Sequence, residues 1–168
     1  IGQGYFLTTP IQLAYATSII ANNGSIVIPK LNRNIQMKKN KKILEKENYL
    51  KNKISLKDWE TINNAMFKVV NQENGTAYWT TKNKYNNISG KTGTVQVYSL
   101  SQKTDVREKE DIPDHLKDHS LYIGYAPKEN PEIVIATIIE NIGSGSKYAA
   151  PISNEIINYY FDNIREKY

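Results

Sequence analysis

Two runs, Leu121-Tyr122-Ile123-Gly124-Tyr125-Ala126 and Glu132-Ile133-Val134-Ile135-Ala136-Thr137-Ile138-Ile139-Glu140, constrain this chain more than any other feature. Both are rich in β-branched and aromatic residues, which suit a pleated, packed backbone. Pro127-Lys128-Glu129-Asn130-Pro131 separates them. A short turn of this kind joins antiparallel neighbours. The second run is apolar at almost every position rather than at alternate ones, so packed layers meet both of its faces and it reads as central in a sheet. A chain of 168 residues has room for one core around such a sheet.

A third strand lies upstream, in Ser89-Gly90-Lys91-Thr92-Gly93-Thr94-Val95-Gln96-Val97-Tyr98. Val95, Val97 and Tyr98 favour extended backbone, and a glycine inside a strand marks a place where another group comes close. The ammonium of Lys91 beside the hydroxyls of Thr92 and Thr94 is suited to holding a carboxylate. On an edge strand, the backbone N–H groups past Gly93 would face the same cleft, where they can stabilise an oxyanion. A lysine on an exposed edge also guards against strand-to-strand aggregation. The triplet by itself leaves both readings open.

Helices surround these strands. Thr9 and Pro10 fit the N-cap and first position of a helix running through Ala21, apolar nearly all round and so expected to be buried; Gly24 suits its C-cap. Ser55-Leu56-Lys57-Asp58 resembles a capping box with Asp in place of Glu, and Trp59, Ile62, Ala65, Met66, Val69 and Val70 follow at helical spacing. Tyr78-Trp79 is expected to pack back on the core. A last helix from Ala150 or Pro151 to Arg165 carries a stripe of Ile152, Ile156, Ile157, Tyr160 and Ile164. Ser25 to Pro29 reads as a short strand or an extended exit, residues 30 to 53 as a basic loop with room for irregular short strands, 83 to 87 as a polar connector, and 99 to 118 as a charged loop or mobile excursion. The expected class is α+β, an antiparallel sheet flanked by helices, with no internal repeat and no dividing linker.

Charge and composition narrow the function. The net charge of +5 is concentrated: seven lysines lie between Lys38 and Lys53 against Glu45 and Glu47. That stretch has no arginine and only Tyr49 as an aromatic, so it reads as a solvated segment rather than a nucleic-acid surface. The chain has no cysteine, which removes disulfides, thiolate metal sites and a thiol nucleophile. His115 and His119 have a zinc-ligand spacing if helical, but no third ligand accompanies them and Pro113 precedes them, so no metal is expected; His119 is placed instead at the start of a strand, near Lys91 across the sheet. Asp105, Glu108, Glu110, Asp111, Asp114 and Asp118 read as a solvated loop rather than paired catalytic acids. A serine nucleophile activated by a lysine one helical turn on would need Ser-x-x-Lys. The one match, Ser144-Gly145-Ser146-Lys147, lies in a glycine-rich loop, and Ser-x-Asn is absent.

Several separated pieces agree in a resemblance. They are Gly2-Gln3-Gly4 with Thr9-Pro10-Ile11-Gln12-Leu13-Ala14, then Ala21-Asn22-Asn23-Gly24, Gly75-Thr76-Ala77, and Gly90-Lys91-Thr92-Gly93-Thr94-Val95-Gln96. Lys117-Asp118-His119 with Ile123-Gly124-Tyr125-Ala126-Pro127 follows, then Glu140-Asn141 with Gly143 and Gly145, and Ala149-Ala150-Pro151. Together they resemble the C-terminal part of the transpeptidase domain of class B penicillin-binding proteins, over nearly the whole chain. The segment from Asp118 to Pro127 inclines the resemblance to the elongation type over the division type. One departure is Lys117, where the family has arginine before Asp-His.

The resemblance implies a DD-transpeptidase acting on peptidoglycan stem peptides ending in D-Ala-D-Ala, acylated by β-lactams, and without a cofactor. Residues 1–168 would be the C-terminal portion of a single transpeptidase domain, incomplete at the N-terminus, with some apolar faces left uncovered. Lys91 and Thr94 would be catalytic: Lys91 moves protons and attracts the substrate carboxylate, and the Thr94 N–H forms half of the oxyanion hole. Thr92, Gly93, Thr94 and Gln96 would bind substrate. The full-length protein would be anchored at the periplasmic face of the inner membrane and would meet elongation-machinery proteins through its other part. The alternatives are a non-catalytic peptide- or partner-binding module, and a β-lactamase or penicillin-sensor relative of the same fold.

Overall fold

The computed structural model describes residues 7–32, 38–81, 87–97 and 113–167. Gly2-Gln3-Gly4, most of the connector at 83 to 87, Tyr98 and the acids from Asp105 to Asp111 lie outside these residues. The element order is α1 (Pro10–Ala21), α2 (Lys41–Lys53), α3 (Leu56–Asn71), β1 (Ser89–Val95), β2 (His119–Ala126), β3 (Ile133–Ile139) and α4 (Ala149–Tyr159). A short 3-10 turn at Asp114–Leu116 precedes β2, and α4 runs on into a π-helical turn at Tyr160–Ile164.

The three strands form one antiparallel sheet in the order β1-β2-β3. Gly90 pairs with Gly124, Lys91 with Ile123, Thr92 with Tyr122, Thr94 with Ser120 and Val95 with His119. On the other side Tyr122 pairs with Thr137 and Ala126 with Ile133. The antiparallel hairpin is as expected, but the middle strand among the described residues is β2, and β3 is laddered on one side only. The unbroken apolar run of β3 instead reflects cover on both of its faces. Ile133, Ile135 and Ile139 join the cluster of Val70, Ala77, Ile88, Tyr122, Ala126, Ala149, Ala150 and Ile157 on the α4 side. Val134 packs with Ala21, Met66 and Tyr125 on the α1 and α3 side. The molecule is thus three layers deep, with β2 buried from Tyr122 to Ala126 except at half-buried Ile123.

Helix starts follow the sequence. Thr9 caps α1 reciprocally with Gln12, and Ser55 caps α3 reciprocally with Asp58. Asn22 and Asn23 end α1, and Gly24 takes φ +86 where its α-carbon faces the Trp59 indole. The expected burial of α1 is only partial: Thr17 and Ala21 are buried and Ile11 is 65% exposed. Trp59 and Met66 of α3 are buried, but Ile62 is 40% exposed.

Three expectations are corrected, and one open choice is decided. Residues 41–53 are a helix rather than a loop. Asn40 caps α2 by accepting from the Ile43 N–H at 3.0 Å, and Glu47 braces its middle. Of the two readings of Ser25 to Pro29 the strand is not the one formed: the segment makes no ladder, and Ile26 is buried with its N–H donating to the Glu47 carboxylate at 3.2 Å. Trp79 is 78% exposed and stacks edge-on with Tyr78, while Ala77 takes the buried place. The stripe on the last helix is rotated. Ile157 is buried with Ser153, Asn154 and Asn158, whereas Ile152, Ile156 and Tyr159 face outward. The inward polar groups have partners on the sheet. Ser153 donates to the Ala149 carbonyl at 2.6 Å and accepts from the Thr137 hydroxyl, whose oxygen is 2.7 Å away, and Asn154 accepts from the Tyr122 hydroxyl at 2.9 Å. No helix among the described residues is long and apolar enough to cross a membrane.

Glu47 gives α2 a measurable acid sensitivity. Hydrogen bonds from Lys39 and from Lys51 (2.7 Å), with the Ile26 N–H, hold its carboxyl down to about 2 from 4.5. A carboxyl lowered on folding contributes stability that is present above its unfolded value and is lost as pH falls through the folded one. The window is therefore pH 4.5 down to about 2. The gap corresponds to about 3 kcal/mol at most, and solvent around the partly exposed lysines screens it to on the order of 2 kcal/mol. Amide-exchange protection of α2 is expected to fall across that window. Glu47→Gln should lose the same protection at neutral pH and flatten the acid dependence; an unchanged acid profile in that variant would refute the assignment.

Candidate active site

The site is built on β1, an edge strand of the sheet. Asn71, at the end of α3, donates from Nδ2 to the Ile88 carbonyl at 2.8 Å and so fixes where the strand begins. Ser89 and Gly90 are fully covered, after which the strand emerges: Lys91 is exposed, Thr92 and Gly93 are half-buried, and Thr94 and Val95 are exposed. The burial gradient along seven residues lifts a cation and two hydroxyls to the surface while their backbone stays in the ladder.

Glycine clears the space beneath. The Tyr122 ring leans across the Gly90–Gly124 pair. A β-carbon at Gly90 would lie 1.9 Å from the Tyr122 hydroxyl oxygen, and one at Gly124 would lie 2.7 Å from the ring. Further along, the loop after β3 presses on the strand: a β-carbon at Gly145 would lie 2.2 Å from the Gly93 carbonyl oxygen. Ser120 holds that loop, donating to the Ser144 carbonyl at 3.0 Å and accepting from the Ala149 N–H at 3.0 Å. Gly93 is therefore backed by a second stretch of backbone, a close approach that a side chain at Gly145 would prevent.

The side chains are arranged as follows. Lys91 Nζ donates to the Thr92 carbonyl at 2.7 Å. Thr92 Oγ1 lies 2.9 Å from Thr76 Oγ1, a residue of the turn that follows α3. Thr94 pairs with Ser120 in the ladder. Gln96 follows the strand instead of belonging to it, because β1 ends at Val95, and its side chain is exposed. The structure thus brings Lys91, Thr92, Gly93 and Thr94 onto one strand, with Gln96 just past its end.

Behind the strand, the Tyr122 hydroxyl donates to Asn154 Oδ1 at 2.9 Å, Asn154 Nδ2 donates to Thr81 Oγ1 at 2.8 Å, and Thr81 Oγ1 donates to the Ala77 carbonyl at 2.6 Å. Burial pushes the Tyr122 phenol far above its ordinary range, with the Asn154 hydrogen bond opposing only in part, so it remains a donor. On the opposite face the Tyr125 hydroxyl donates to Asn63 Oδ1 at 2.6 Å, and burial raises that phenol too. These bonds connect α3, the turn after it and α4 to β2.

His119 is not beside Lys91. It pairs with Val95, while Lys91 pairs with Ile123 four residues further along β2. Its Nδ1 accepts from the Asn141 N–H at 3.0 Å, and the Asn141 side-chain amide reaches the His115 and Lys117 carbonyls at 2.9 and 3.1 Å. His115 sits in the 3-10 turn and His119 on the strand, so the helical spacing of a zinc pair does not arise. Lys117 donates to Asp114 at 2.6 Å, holding that exposed carboxyl below its usual range. Ser144 and Lys147 do not form a nucleophile pair either. Ser144 Oγ bonds Ser146 Oγ at 2.8 Å, and the Lys147 ammonium lies over the Tyr148 ring at 5.1 Å. Thr76, Asn141 and the Tyr122–Asn154 pair are contacts that residue patterns do not announce, since each joins segments distant in sequence.

Residues 1–158 match the family described as penicillin binding protein transpeptidase domain. A curated relative, peptidoglycan D,D-transpeptidase MrdA of Haemophilus influenzae, is 36% identical over 167 residues; the match covers 96% of this chain and 25% of the relative. The chain thus spans about a quarter of the length of the curated relatives it matches. Among solved structures, the complex between penicillin-binding protein PBP2 and MreC from Helicobacter pylori superposes with a TM-score of 0.68. That match has 26% identity and covers 96% of this chain and 26% of that one. The Pseudomonas aeruginosa PBP2 in complex with WCK 5153 superposes with a TM-score of 0.64 at 28% identity, covering 95% of this chain and 32% of that one. With a Lys-Thr-Gly-Thr strand at the sheet edge and a family match from end to end of the three-layered core, this chain belongs to the penicillin-binding protein transpeptidase domains.

Proposed function

We propose that this chain supplies the Lys-Thr-Gly wall of a peptidoglycan DD-transpeptidase cleft, and that residues 1–168 are the C-terminal portion of a single transpeptidase domain. The observation that carries the reading is the edge strand β1, which presents Lys91, Thr92 and Thr94 outward in a chain of this family. The relatives' fourfold greater length supports the second part, as do the uncovered apolar residues Ile152, Ile156 and Tyr159 and the unpaired edge of β3 among the described strands. An apolar edge of that kind takes a further strand or aggregates.

In the reaction, a seryl hydroxyl from another part of the domain attacks the carbonyl of the penultimate D-Ala. The C–N bond to the terminal D-Ala breaks, and that amine departs with the serine's proton. An amine of a neighbouring stem peptide then attacks the ester, forms the new peptide bond and returns a proton to the serine. Lys91 attracts the terminal carboxylate and assists the proton's movement; the Thr92 and Thr94 hydroxyls bond that carboxylate. The Thr94 N–H meets the developing oxyanion, where a fixed donor is worth more than in water. Gly93 keeps the strand close to the substrate backbone, and Gln96 borders the peptide beyond it. A β-lactam enters by the same attack, but its ring amide opens without releasing a fragment, so the acyl-enzyme persists. Placement at the periplasmic face of the inner membrane and contact with elongation proteins of the MreC kind complete the reading, the latter by analogy with the Helicobacter pylori complex.

Labelling of the full-length protein with a fluorescent penicillin tests it. One covalent label per chain is expected, blocked by prior treatment with unlabelled penicillin. A protein that takes no label would sink the catalytic reading and favour a non-catalytic binding module.

A further inference from the structure

Thr76 stands outside the Lys-Thr-Gly strand, yet its hydroxyl meets the Thr92 hydroxyl. The two oxygens are 2.9 Å apart across sixteen residues of sequence. The turn that carries Thr76 is tightly held. The Gly75 N–H donates to the Gln72 carbonyl at 2.8 Å, and the Ala77 N–H donates to the Val69 carbonyl at 3.0 Å. A β-carbon on Gly75 would lie 2.3 Å from the Val69 carbonyl oxygen, so the chain passes there only as glycine. Ala77 is fully buried in the core cluster and its carbonyl receives the Thr81 hydroxyl. A rigid glycine and a buried alanine thus bracket an exposed threonine, which core packing does not require.

A hydroxyl has one proton to give and two lone pairs to receive. If Thr92 spends its proton on Thr76, none is left for a carboxylate. If Thr76 donates to Thr92, the Thr92 proton is free to point into the cleft. A β-branched residue with few χ1 states is suited to that task. We propose that Thr76 is a positioning residue for substrate binding: its hydroxyl donates to Thr92 Oγ1 and turns the Thr92 proton toward the carboxylate of the stem peptide or β-lactam. This rests on the transpeptidase reading above and adds a residue to its carboxylate site.

The test uses the full-length protein and penicillin as probe. The dependence of acylation rate on penicillin concentration separates the dissociation constant of the initial complex from the limiting acylation rate. Thr76→Val is expected to weaken the initial complex about three- to tenfold, the loss of one hydrogen bond, with the limiting rate within about twofold of the unaltered protein. Thr76→Ser, which keeps the hydroxyl, should recover most of the loss. In a Thr92→Val background, Thr76→Val should add less than about twofold, because the group it orients has gone. Thr76→Val with unchanged binding would overturn the proposal. So would a Ser variant as impaired as Val, or the full loss persisting without the Thr92 hydroxyl. A fall in melting temperature that accounts for the Val effect and is shared by Ser would assign Thr76 a structural role and also overturn it. If the unaltered protein is not acylated at all, the transpeptidase reading fails and this assignment falls with it; acylation with an inert Thr76 removes only the latter.

Discussion

Replacing Lys91 by Ala in the full-length protein is expected to slow acylation by penicillin about 10²- to 10³-fold while leaving the melting temperature nearly unchanged. The two halves of that expectation have separate causes. Lys91 is exposed and its ammonium rests on the Thr92 carbonyl, an interaction that water replaces at little net cost. The fold therefore loses little. In the proposed reaction both an attractive charge for the carboxylate and a group that assists proton transfer would be lost, and the latter alone is worth about 10²- to 10⁴-fold in typical enzymes. Lys91→Arg separates these roles, because a guanidinium keeps the charge but does not give up its proton in a protein. Arg should restore much of the initial penicillin affinity and little of the limiting acylation rate. Stopped-flow measurement of both parameters decides the matter. An Ala variant acylated within about threefold of the unaltered protein would exclude Lys91 from the chemistry.

The strand that carries Lys91 was legible for a local reason: the triplet, its glycines and its β-branched neighbours sit within one short stretch. The hairpin after it was legible for the same reason, since Leu121–Ala126 and Glu132–Glu140 have a composition that helices do not favour. The caps at Thr9 and Ser55 are likewise written into three or four consecutive residues. What escaped depends on distant partners. The α2 helix hides behind its charge, yet Asn40 as a cap and Glu47 four residues before Lys51 were signals for it. Its brace to Ile26 spans twenty-one residues. The rotation of α4 could not be read from apolar spacing, because its buried face uses Ser153 and Asn154 against Thr137 and Tyr122. A polar residue buried with a partner looks, in sequence, like a polar residue in solvent. The pairing of Thr76 with Thr92 is of the same kind: the resemblance marked both segments, and only the fold placed them in contact.

Gly90 is where these local and distant constraints meet, and Gly90→Ala is expected to destabilise the full-length protein's transpeptidase domain by about 3 kcal/mol, the upper part of the range for overpacking a core. The added carbon would fall 1.9 Å from the Tyr122 hydroxyl oxygen, 2.3 Å from the ring carbon that bears it, and 2.9 Å from the Ile123 carbonyl oxygen. Three routes of relief are closed. The Tyr122 ring is fully buried and tied to Asn154, which is itself buried and tied to Thr81. The Ile123 carbonyl belongs to the ladder. Strand β1 is pinned at its start by Asn71 and backed at Gly93 by the Gly145 loop. The remaining response is to push β1 outward at the residue next to Lys91, so acylation should fall together with stability. A loss of about 3 kcal/mol would lower the melting temperature of a domain of 150–250 residues by roughly 6 °C or more, and that of the longer complete domain by a few degrees. Removing the obstructing ring should repair part of this. Tyr122→Leu alone leaves a cavity and removes the donor to Asn154 Oδ1, but combined with Gly90→Ala it should be less damaging than the sum of the two, with a coupling of about 1 kcal/mol or more. Thermal melts of the four proteins measure that cycle. If the two losses simply add, the Tyr122 ring is not what forbids a side chain at residue 90, and the glycine before Lys91 answers to some other constraint.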